Sequence, residues 1–435
     1  MANHPQGTQR AVKWYPPAYD IRVETIPIPE IIEPDDALVK IKLAGLCGSD
    51  LHIYRGHEDV DAELICGHEL VGEIVALGSS FYPGATGRPE LYSTLQIGDK
   101  VVSPFTVSCG ECHFCRVGFT CRCIHSALLG TPLLPGGQAQ YARIPKAGGT
   151  LFSLTALARS NARVLDIADS SLLLLADILP TGVFVALQAL QHPKLSPMLT
   201  GSAYPSSSFV PCDGLVLSGT GVMKPLETAD RTLTIAIVGL GPVGVCAAVS
   251  LLHMMENIRT TKGLDCRIVA IDPNEARRKK MEAVYAKINS HDKQSCAFVV
   301  AAIDEAQDLA KLWTGGAGCN AVLEVVGNNS ALDLAYSLVR PFGIISSVGV
   351  HQEPPIPFTG RDVYNKNVSL DFGRCPVRAM FPLALEILVK RQDVFGGIGD
   401  DASLIENTVS FDQAAQSYEL FDKGKCGKIL FDPWM

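Results

Sequence analysis

The pattern of apolar and polar residues divides the chain into a β-rich first part, an alternating middle part and a short mixed tail. Residues 38–43 alternate apolar and polar side chains, as a half-buried strand does. Residues 70–77 and 100–102 predict two further strands, and the Gly-, Pro- and Ser-rich residues 79–95 predict a surface loop between them. The first part is therefore predicted to be mostly β.

The middle part follows a different pattern. Residues 232–238 form a continuous apolar run, which predicts a buried strand, and a helix is predicted to extend to about Met255. Further alternating elements are predicted at 267–271, 321–326, 331–339 and 343–349. Alternation of this kind predicts an α/β fold with a doubly wound parallel sheet. The tail adds predicted helices at 380–390 and 411–422 and a strand at 428–431.

Composition and charge narrow the class of protein. The 435 residues are 47% hydrophobic and 19% charged, which is typical of a globular protein of two or three domains. A net charge of −8 without a basic run argues against nucleic-acid binding. The apolar runs 171–190 and 232–252 contain charge, proline or clustered glycine, so buried elements are favoured over membrane spans.

Five of the 14 cysteines lie between residues 109 and 123. Cys109, Cys112 and Cys115 have C-x2-C-x2-C spacing, and four thiolates satisfy a closed, structural zinc site. Cys121 and Cys123 compete for the fourth position, and an iron–sulfur cluster is the rival metal group. Because this usage is typical of a reducing compartment and no secretory signal is visible, we expect a cytosolic protein.

A second set of metal ligands is predicted from residues 45–52 (Gly-Leu-Cys-Gly-Ser-Asp-Leu-His) and 67–69 (Gly-His-Glu). A catalytic zinc needs only three protein ligands, and Cys47 and His68 are two candidates. The third candidate is Asp177, whose carboxylate lies in apolar sequence and therefore requires a cation or several donors as partners. The alternative for Asp177 is a helix cap.

A dinucleotide site is predicted where the strand 232–238 meets the following helix. The intervening residues have G-x-G-x-x-G spacing, which lets a pyrophosphate approach the backbone at a helix N-terminus. They are Gly239, Leu240, Gly241, Pro242, Val243 and Gly244.

The residue after the next strand bears on which dinucleotide binds. Asp272 follows the strand 267–271, where an acid can bind the ribose 2′-hydroxyl and repel a 2′-phosphate, so NAD is favoured. Arg277 and Arg278 are the alternative, as partners for NADP. Polar residues 256–266 are interpreted as an insertion, because Asp272 comes later than the usual spacing of about 20 residues.

Together these motifs resemble the zinc-dependent medium-chain alcohol dehydrogenase family. The resemblance rests on residues 45–52, 67–69, 109–123, 239–244 and 347–350. It implies a GroES-like, mostly β catalytic domain formed by residues 1–183 and 379–435, and a Rossmann coenzyme domain formed by residues 184–378. Residues 79–95, 197–230 and 256–266 look like additions to the family pattern. The family's spacing also favours Cys123 over Cys121.

The third catalytic ligand departs from most of the family, which has Cys in this segment. Residues 177–182 instead resemble the formaldehyde dehydrogenase and dismutase branch, which uses Asp. One Cys thiolate, one neutral His and one Asp carboxylate balance the charge of Zn²⁺ as two Cys and one His do. Cys66 is the alternative third ligand.

The resemblance implies hydride transfer between an alcohol, or an aldehyde hydrate, and NAD(H), with a zinc-bound alkoxide. Ser49 and His52 would relay the alcohol proton, and Glu69 would assist ligand exchange. Asp50 is a candidate to orient His68. Phe105 is implied in the substrate pocket, and a second set of residues would contact the cofactor: Val348, Val350 and Lys428. Relatives are dimers or tetramers, so a homodimer or homotetramer is expected.

Two other functions are compatible with this fold. A zinc-independent enone or quinone reductase would lack catalytic ligands, and a non-enzymatic zinc-binding homologue would not need Ser49 or His52. The presence of Cys47, His68 and a plausible Asp177 favours the dehydrogenase. Formaldehyde, polyols, aryl alcohols and specialised-metabolite alcohols all remain open as substrates.

Overall fold

The structure is a computed structural model that describes residues 5–82, 84–85, 95–201, 204, 226–262, 264–291, 296–352 and 354–435. The chain forms two compact units. The first unit comprises Met1–Pro180 and Cys375–Met435, and the second comprises Thr181–Arg374. The domain limits predicted from the sequence, after residues 183 and 378, lie within a few residues of these divisions.

The first unit is built mainly of β-strands. In chain order its strands are β1 (Thr8–Tyr15), β2 (Asp20–Pro27), β3 (Ala37–Gly45), β4 (Leu64–Ile65), β5 (Leu70–Leu77), β6 (Lys100–Ser103), β7 (Tyr141–Ile144) and β8 (Phe152–Ser153), with β15 (Ile405–Ser410) and β16 (Lys428–Asp432) from the tail. One sheet has the order β15-β16-β3-β5-β6-β8, with β7 also paired to β3, and a smaller sheet has the order β2-β1-β4. Apolar residues of β3, β5 and β6 form a buried cluster, as their alternating pattern predicted.

Helices of the first unit are short except near the C-terminus. They are α1 (Asp50–Tyr54), α2 (His113–Arg116), α3 (Ala147–Thr150), α4 (Leu154–Ala158), α5 (Arg163–Asp166), α6 (Asp169–Leu173), α14 (Val377–Lys390), α15 (Gln392–Phe395) and α16 (Ala414–Asp422). A single 3-10 turn, Leu174–Ala176, follows α6 directly. Helix α7 (Ile178–Leu190) then contains the division between the two units.

The second unit contains a six-stranded sheet whose neighbouring strands are all parallel. Its strands are β9 (Leu233–Val238), β10 (Cys266–Ile271), β11 (Ala297–Ala301), β12 (Cys319–Glu324), β13 (Val339–Ser347) and β14 (Ser369–Phe372). Its helices after α7 are α8 (Ser196–Thr200), α9 (Pro242–Lys262), α10 (Glu275–His291), α11 (Ile303–Thr314), α12 (Asn329–Leu338) and α13 (Gly360–Lys366). The predicted doubly wound sheet is confirmed.

The strand order of this sheet is β11-β10-β9-β12-β13-β14. The strands that follow β9 in the chain are added first on one side of it, as β10 and β11, and then on the other side, as β12, β13 and β14. Ligands of such sheets bind beyond the carboxyl ends of the strands, where the order reverses. Every residue of β9 is buried, as expected for a central strand covered on both faces.

Three predicted additions have different outcomes. Helix α9 continues to Lys262, so ending it near Met255 was wrong, and much of the polar segment 256–266 is an extension of that helix. The polar residues of this segment have no apolar period, which is why the pattern ended the helix near Met255. In the other two additions, 79–95 and 197–230, residues 83, 86–94, 202–203 and 205–225 lie outside the described residues.

Within the described ranges, no single helix is long and apolar enough to cross a membrane. One pair of segments, Asp169–Ala176 and Ile178–Leu190, meets the length and composition criteria only when it is joined across a 49° bend.

Candidate metal and cofactor sites

Cys47, His68 and Asp177 meet in the first unit, although they lie far apart in the sequence. Cys47 follows β3, His68 precedes β5, and Asp177 follows the 3-10 turn Leu174–Ala176. Their ligand atoms all lie within 4.8 Å of one another. The side chains are mostly buried, and the three residues are 7%, 6% and 9% exposed. The geometry therefore groups the three ligands predicted for the catalytic zinc.

The distances between these atoms fit one metal ion. Asp177 Oδ2 lies 3.3 Å from His68 Nε2 and 3.7 Å from Cys47 Sγ. Ordinary zinc bond lengths in a tetrahedral site place nitrogen and oxygen about 3.4 Å apart, and sulfur and oxygen about 3.6 Å apart. The residues present therefore fit zinc without rearrangement of their side chains.

Asp50 orients the imidazole of His68. Its Oδ1 lies 3.1 Å from His68 Nδ1, and its Oδ2 accepts the backbone N–H of Cys47 at 2.9 Å. Because an ionised carboxylate only accepts hydrogen bonds, Nδ1 carries the hydrogen and Nε2 faces Asp177 and Cys47. Burial alone would lower the pKa of His68, but Asp50 and Asp177 outweigh it and raise that pKa well above its usual range. The carboxylates of Asp50 and Asp177 also favour binding of a cation at this group of ligands.

Cys66, the alternative third ligand, is not part of this group. Burial raises the pKa of its thiol to about 12, and the nearby Asp50 carboxylate acts in the same direction. The thiol is hydrogen-bonded to Tyr418, which itself donates to Gln138 Oε1 at 3.0 Å. Asp177, and not Cys66, has its ligand atom within 4.8 Å of those of Cys47 and His68, so the geometry favours Asp177.

One of the two predicted proton-relay residues, Ser49, lies beside the ligands. Ser49 Oγ is 3.5 Å from Cys47 Sγ and 3.3 Å from His68 Nε2. His52 lies in helix α1, with its ring centroid 6.5 Å from that of His57. Phe105 is 7% exposed, and its ring centroid is 6.2 Å from that of His68. The placement of Ser49 and Phe105 next to a metal ligand is compatible with their predicted roles.

Glu69 and Lys428 form a buried ion pair behind the ligands. Lys428 Nζ donates to Glu69 Oε2, and the two side chains are 1% and 0% exposed. Burial would lower the pKa of Lys428, but the Glu69 carboxylate outweighs it and raises that pKa. Lys428 was predicted to contact the cofactor pyrophosphate, and that contact stays a prediction. In this structure its ammonium balances the Glu69 carboxylate.

Replacing Lys428 by Met should leave the Glu69 carboxylate buried without its counter-charge. We expect the free energy of unfolding to fall by about 3–5 kcal/mol, since breaking one side of a buried pair costs that much. Urea unfolding followed by circular dichroism measures the loss. The double variant Glu69→Gln/Lys428→Met should recover most of the stability. A single variant as stable as wild type would contradict the importance of the pair.

A second group of ligands comprises Cys109, Cys112, Cys115 and Cys123, whose sulfur atoms lie within 4.8 Å of one another. Backbone N–H groups donate to these sulfurs: Glu111 and Cys112 to Cys109 at 3.4 and 3.3 Å, and Cys109 and His125 to Cys123 at 3.3 Å each. A hydrogen bond from the backbone of Ile124 lowers the pKa of Cys112 to about 6. Burial raises the pKa of the Cys115 and Cys123 thiols. Zinc binds the thiolate form, so a zinc ion at this group of four sulfurs would offset the effect of burial. Cys121 lies outside the group.

The predicted dinucleotide loop follows β9 in the second unit. Gly239 has a φ of +99°, and a Cβ there would come within 2.5 Å of Val326 Cγ2. A side chain at this position would therefore be strained and would also overlap its neighbour. Helix α9 begins at Pro242, so the loop leads into a helix N-terminus as predicted from the G-x-G-x-x-G spacing.

Asp272 is fixed at the end of β10 by the same loop. Its Oδ2 accepts the backbone N–H of Leu240 and its Oδ1 accepts that of Asn274, both at 2.8 Å. Arg278 donates to the carbonyl oxygens of Asp272 and Pro273, and Arg277 lies 3.6 Å from Asp272 Oδ2. Arg277 and Arg278, which were the alternative partners for NADP, therefore both contact Asp272 in this structure.

The pattern analysis missed a polar cluster at the carboxyl ends of β12 and β13. Glu324, Ser347 and His351 are joined by hydrogen bonds of 2.6–3.0 Å. A signal was present, because Glu324 lies within the apolar run 321–326, as Asp177 lies within the apolar run 171–190. The same rule, that a buried carboxylate needs partners, would have selected it.

Comparison with known proteins agrees with this picture. Residues 33–154 match the alcohol dehydrogenase GroES-like domain, and residues 255–390 match the zinc-binding dehydrogenase family. The chain is 34% identical over 426 residues to zinc-type alcohol dehydrogenase B of Aspergillus flavus, covering 98% of this chain and 82% of that protein. It is 27% identical over 446 residues to formaldehyde dismutase of Pseudomonas putida, covering 95% of each.

A solved structure shows the same fold. The alcohol dehydrogenase TADH from Thermus sp. ATN1 superimposes with a TM-score of 0.68 at 25% identity, covering 97% of this chain and 99% of that one. The predicted fold class, a GroES-like domain with a Rossmann domain, is confirmed, as is the prediction of a zinc-dependent oxidoreductase. The chain belongs to the zinc-dependent medium-chain alcohol dehydrogenase family.

Proposed function

We propose that this protein transfers a hydride between an alcohol, or an aldehyde hydrate, and NAD(H) at a zinc site formed by Cys47, His68 and Asp177. The observation that carries the proposal is the grouping of the three ligand atoms within 4.8 Å, with the two distances from Asp177 Oδ2 matching those around one tetrahedral zinc. Bound zinc supplies Lewis-acid chemistry, which lowers the pKa of an alcohol oxygen, and NAD⁺ supplies the hydride acceptor.

The residues around the site have distinct tasks in this proposal. Ser49 accepts the alcohol proton, since its hydroxyl lies within 3.5 Å of two ligand atoms. His52, three residues further along, passes the proton outward, as a side chain that titrates near neutral pH can. Asp50 holds the His68 imidazole in one tautomer through the 3.1 Å contact to Nδ1.

Electrostatics support a cation at the site. Cys47 as a thiolate and Asp177 as a carboxylate offset the two charges of zinc, so His68 can bind in its neutral form. The Glu69–Lys428 pair beside His68 adds no net charge. Residues 109–123 form a lobe, the 109–123 lobe, whose four grouped cysteines could hold a second zinc. With four protein ligands that zinc would have no open position and therefore a structural role.

The test is oxidation of a panel of alcohols by the zinc-loaded full chain, followed through NADH absorbance. The panel should contain formaldehyde, because a relative of this chain is named formaldehyde dismutase, together with polyols and aryl alcohols. Turnover of any alcohol with NAD⁺ supports the proposal. Reduction of an enone by zinc-depleted protein, with no alcohol oxidised by the loaded protein, would contradict it.

NADH should bind at least about 10-fold more tightly than NADPH, because Asp272 would repel a 2′-phosphate. Fluorescence titration of each reduced cofactor measures the two dissociation constants. The Asp272→Asn variant keeps an oxygen for the Leu240 N–H but loses the charge, so it should narrow the difference. Equal or tighter binding of NADPH by the wild-type protein would show that Arg277 and Arg278 decide the preference instead.

The oligomeric state and the cytosolic location remain predictions. Size-exclusion chromatography with light scattering would distinguish the expected dimer from the expected tetramer.

A further inference from the structure

Glu324, Ser347 and His351 form a buried polar cluster that the proposed chemistry does not use. Glu324 ends β12 and Ser347 ends β13, and the two residues are paired across these neighbouring parallel strands. His351 lies four residues beyond Ser347, with its side chain 14% exposed. The cluster therefore lies at the carboxyl edge of the sheet, which is the edge that binds ligands in such folds.

Glu324 accepts four hydrogen bonds from two different loops. Its Oε1 accepts the backbone N–H groups of Val326 and Gly327, both at 2.8 Å. Its Oε2 lies 2.6 Å from Ser347 Oγ and 3.0 Å from His351 Nε2. Burial alone would raise the pKa of Glu324, but the hydrogen bonds from His351 and Ser347 outweigh it and lower that pKa. An ionised carboxylate thus ties the loop after β12 to the loop after β13.

These two loops approach each other very closely. A Cβ on Gly349 would lie 3.0 Å from Glu324 Oε2 and would overlap the backbone of Gly327. The loop after β12 also contacts the dinucleotide loop, where Val326 Cγ2 occupies the space beside Gly239. A continuous path of contacts therefore leads from His351 through Glu324 and Val326 to the glycine loop.

The same two loops expose apolar side chains at the ligand edge. Val326 and Val350 are each 46% exposed, although the backbones of the two loops approach each other closely. Val350 and Val348 are two of the residues predicted to contact the cofactor. The Glu324 carboxylate therefore fixes the backbone of the two loops that carry Val326, Val348 and Val350.

We propose that His351 and Glu324 are positioning residues, which hold the loops of Val326 and of residues 348–350 in the arrangement that receives the nicotinamide ring. Neither residue needs to touch the cofactor, because both act through the backbone that they tie together. The inference rests on the proposed use of NAD(H). It assigns to this chain a determinant of cofactor placement within the second unit alone.

Two variants of His351 separate its hydrogen bond from its bulk. His351→Gln keeps a donor where Nε2 lies, and it loses little at Nδ1, which is buried without a hydrogen-bond partner among the described residues. His351→Phe keeps an aromatic ring against Phe372, whose ring centroid is 5.1 Å away, but removes the donor to Glu324. The two variants therefore form a matched pair.

Binding of NADH and of ADP-ribose to the zinc-loaded full chain should be measured by isothermal titration calorimetry. ADP-ribose has the pyrophosphate and both riboses but no nicotinamide. We expect His351→Phe to weaken NADH binding about 5- to 20-fold, as the loss of one charge-assisted hydrogen bond would allow. ADP-ribose affinity should stay within about twofold of wild type, and His351→Gln should restore NADH binding to within about threefold.

Three results would overturn the inference. If His351→Phe bound NADH as tightly as wild type, the hydrogen bond from His351 to Glu324 would not be needed for cofactor placement. An equal loss for ADP-ribose would indicate general loosening of the second unit, and His351→Gln binding as weakly as His351→Phe would show that the donor to Glu324 is not what matters. Failure of the proposed function looks different, because the zinc-loaded wild type would then oxidise no alcohol, whether or not it binds NADH. Circular dichroism and zinc content serve as folding controls.

Discussion

Replacing Asp177 by Ala is expected to reduce the zinc content from about two ions per chain to about one and to abolish alcohol oxidation. The variant removes the carboxylate oxygen that lies 3.3 Å from His68 Nε2 and 3.7 Å from Cys47 Sγ, and a catalytic site with two protein ligands holds zinc poorly. Loss of a partner outside the ligand set already costs 10- to 100-fold in metal affinity or activity. We therefore expect kcat/KM to fall by more than about 100-fold. Atomic absorption and NADH formation measure the two effects.

Two further variants control for size and charge at this position. Asp177→Cys supplies the thiolate that most of the family has in this segment, so it should retain both zinc ions. Asp177→Asn keeps the shape but leaves the site with one negative ligand, so zinc affinity should fall. Two zinc ions in Asp177→Ala would exclude Asp177 as a required ligand while leaving the dehydrogenase function possible.

Replacing Cys123 by Ser should release the zinc of the 109–123 lobe and lower the stability of the first unit. Structural zinc sites contribute directly to folding, so we expect a loss of several kcal/mol in the free energy of unfolding. The catalytic site should keep its zinc, because its ligands come from other segments. Thermal unfolding and zinc content of the same samples measure both consequences.

Cys121→Ser is the matched control for this experiment. Cys121 lies two residues away and is buried, but it is outside the group of four sulfurs. Its substitution should leave the zinc content unchanged and should alter stability by about 1 kcal/mol or less. Loss of zinc in Cys121→Ser together with retention in Cys123→Ser would reverse the assignment of the fourth ligand.

Local patterns predicted the fold well because each pattern has a physical period. Alternation in residues 38–43 and the apolar run 232–238 correspond to β3 and β9, since burial on one or both faces of a sheet requires those patterns. The end of α9 was not predictable in this way. Its last residues, 256–262, are mostly polar in sequence, so they show no apolar period that would predict a helix.

The candidate sites were predictable only in part. Spacing alone grouped Cys109, Cys112 and Cys115, because ligands close in sequence can share one ion. The meeting of Cys47 with Asp177, 130 residues later, depends on how β3 and the 3-10 turn before Asp177 are packed. The residue pattern indicated Asp177 as a carboxylate in need of partners, and the family resemblance supplied its role as a zinc ligand.

Burial and tertiary pairing account for the residues that were interpreted differently. Lys428 was predicted to contact the cofactor, and the packing of β16 beside β3 places it against Glu69. The residues around Lys428 give no pattern that predicts a partner 359 positions away in the sequence. The cluster of Glu324 and His351 likewise depends on the parallel pairing of β12 with β13.

The most direct test of the central claim is a crystal structure of the zinc-loaded protein with anomalous data collected at the zinc absorption edge. Our account predicts two peaks per chain, one of them within about 2.0–2.3 Å of Cys47 Sγ, His68 Nε2 and a carboxylate oxygen of Asp177. A single peak in the 109–123 lobe, or a second peak bonded to Cys66 instead of Asp177, would contradict it.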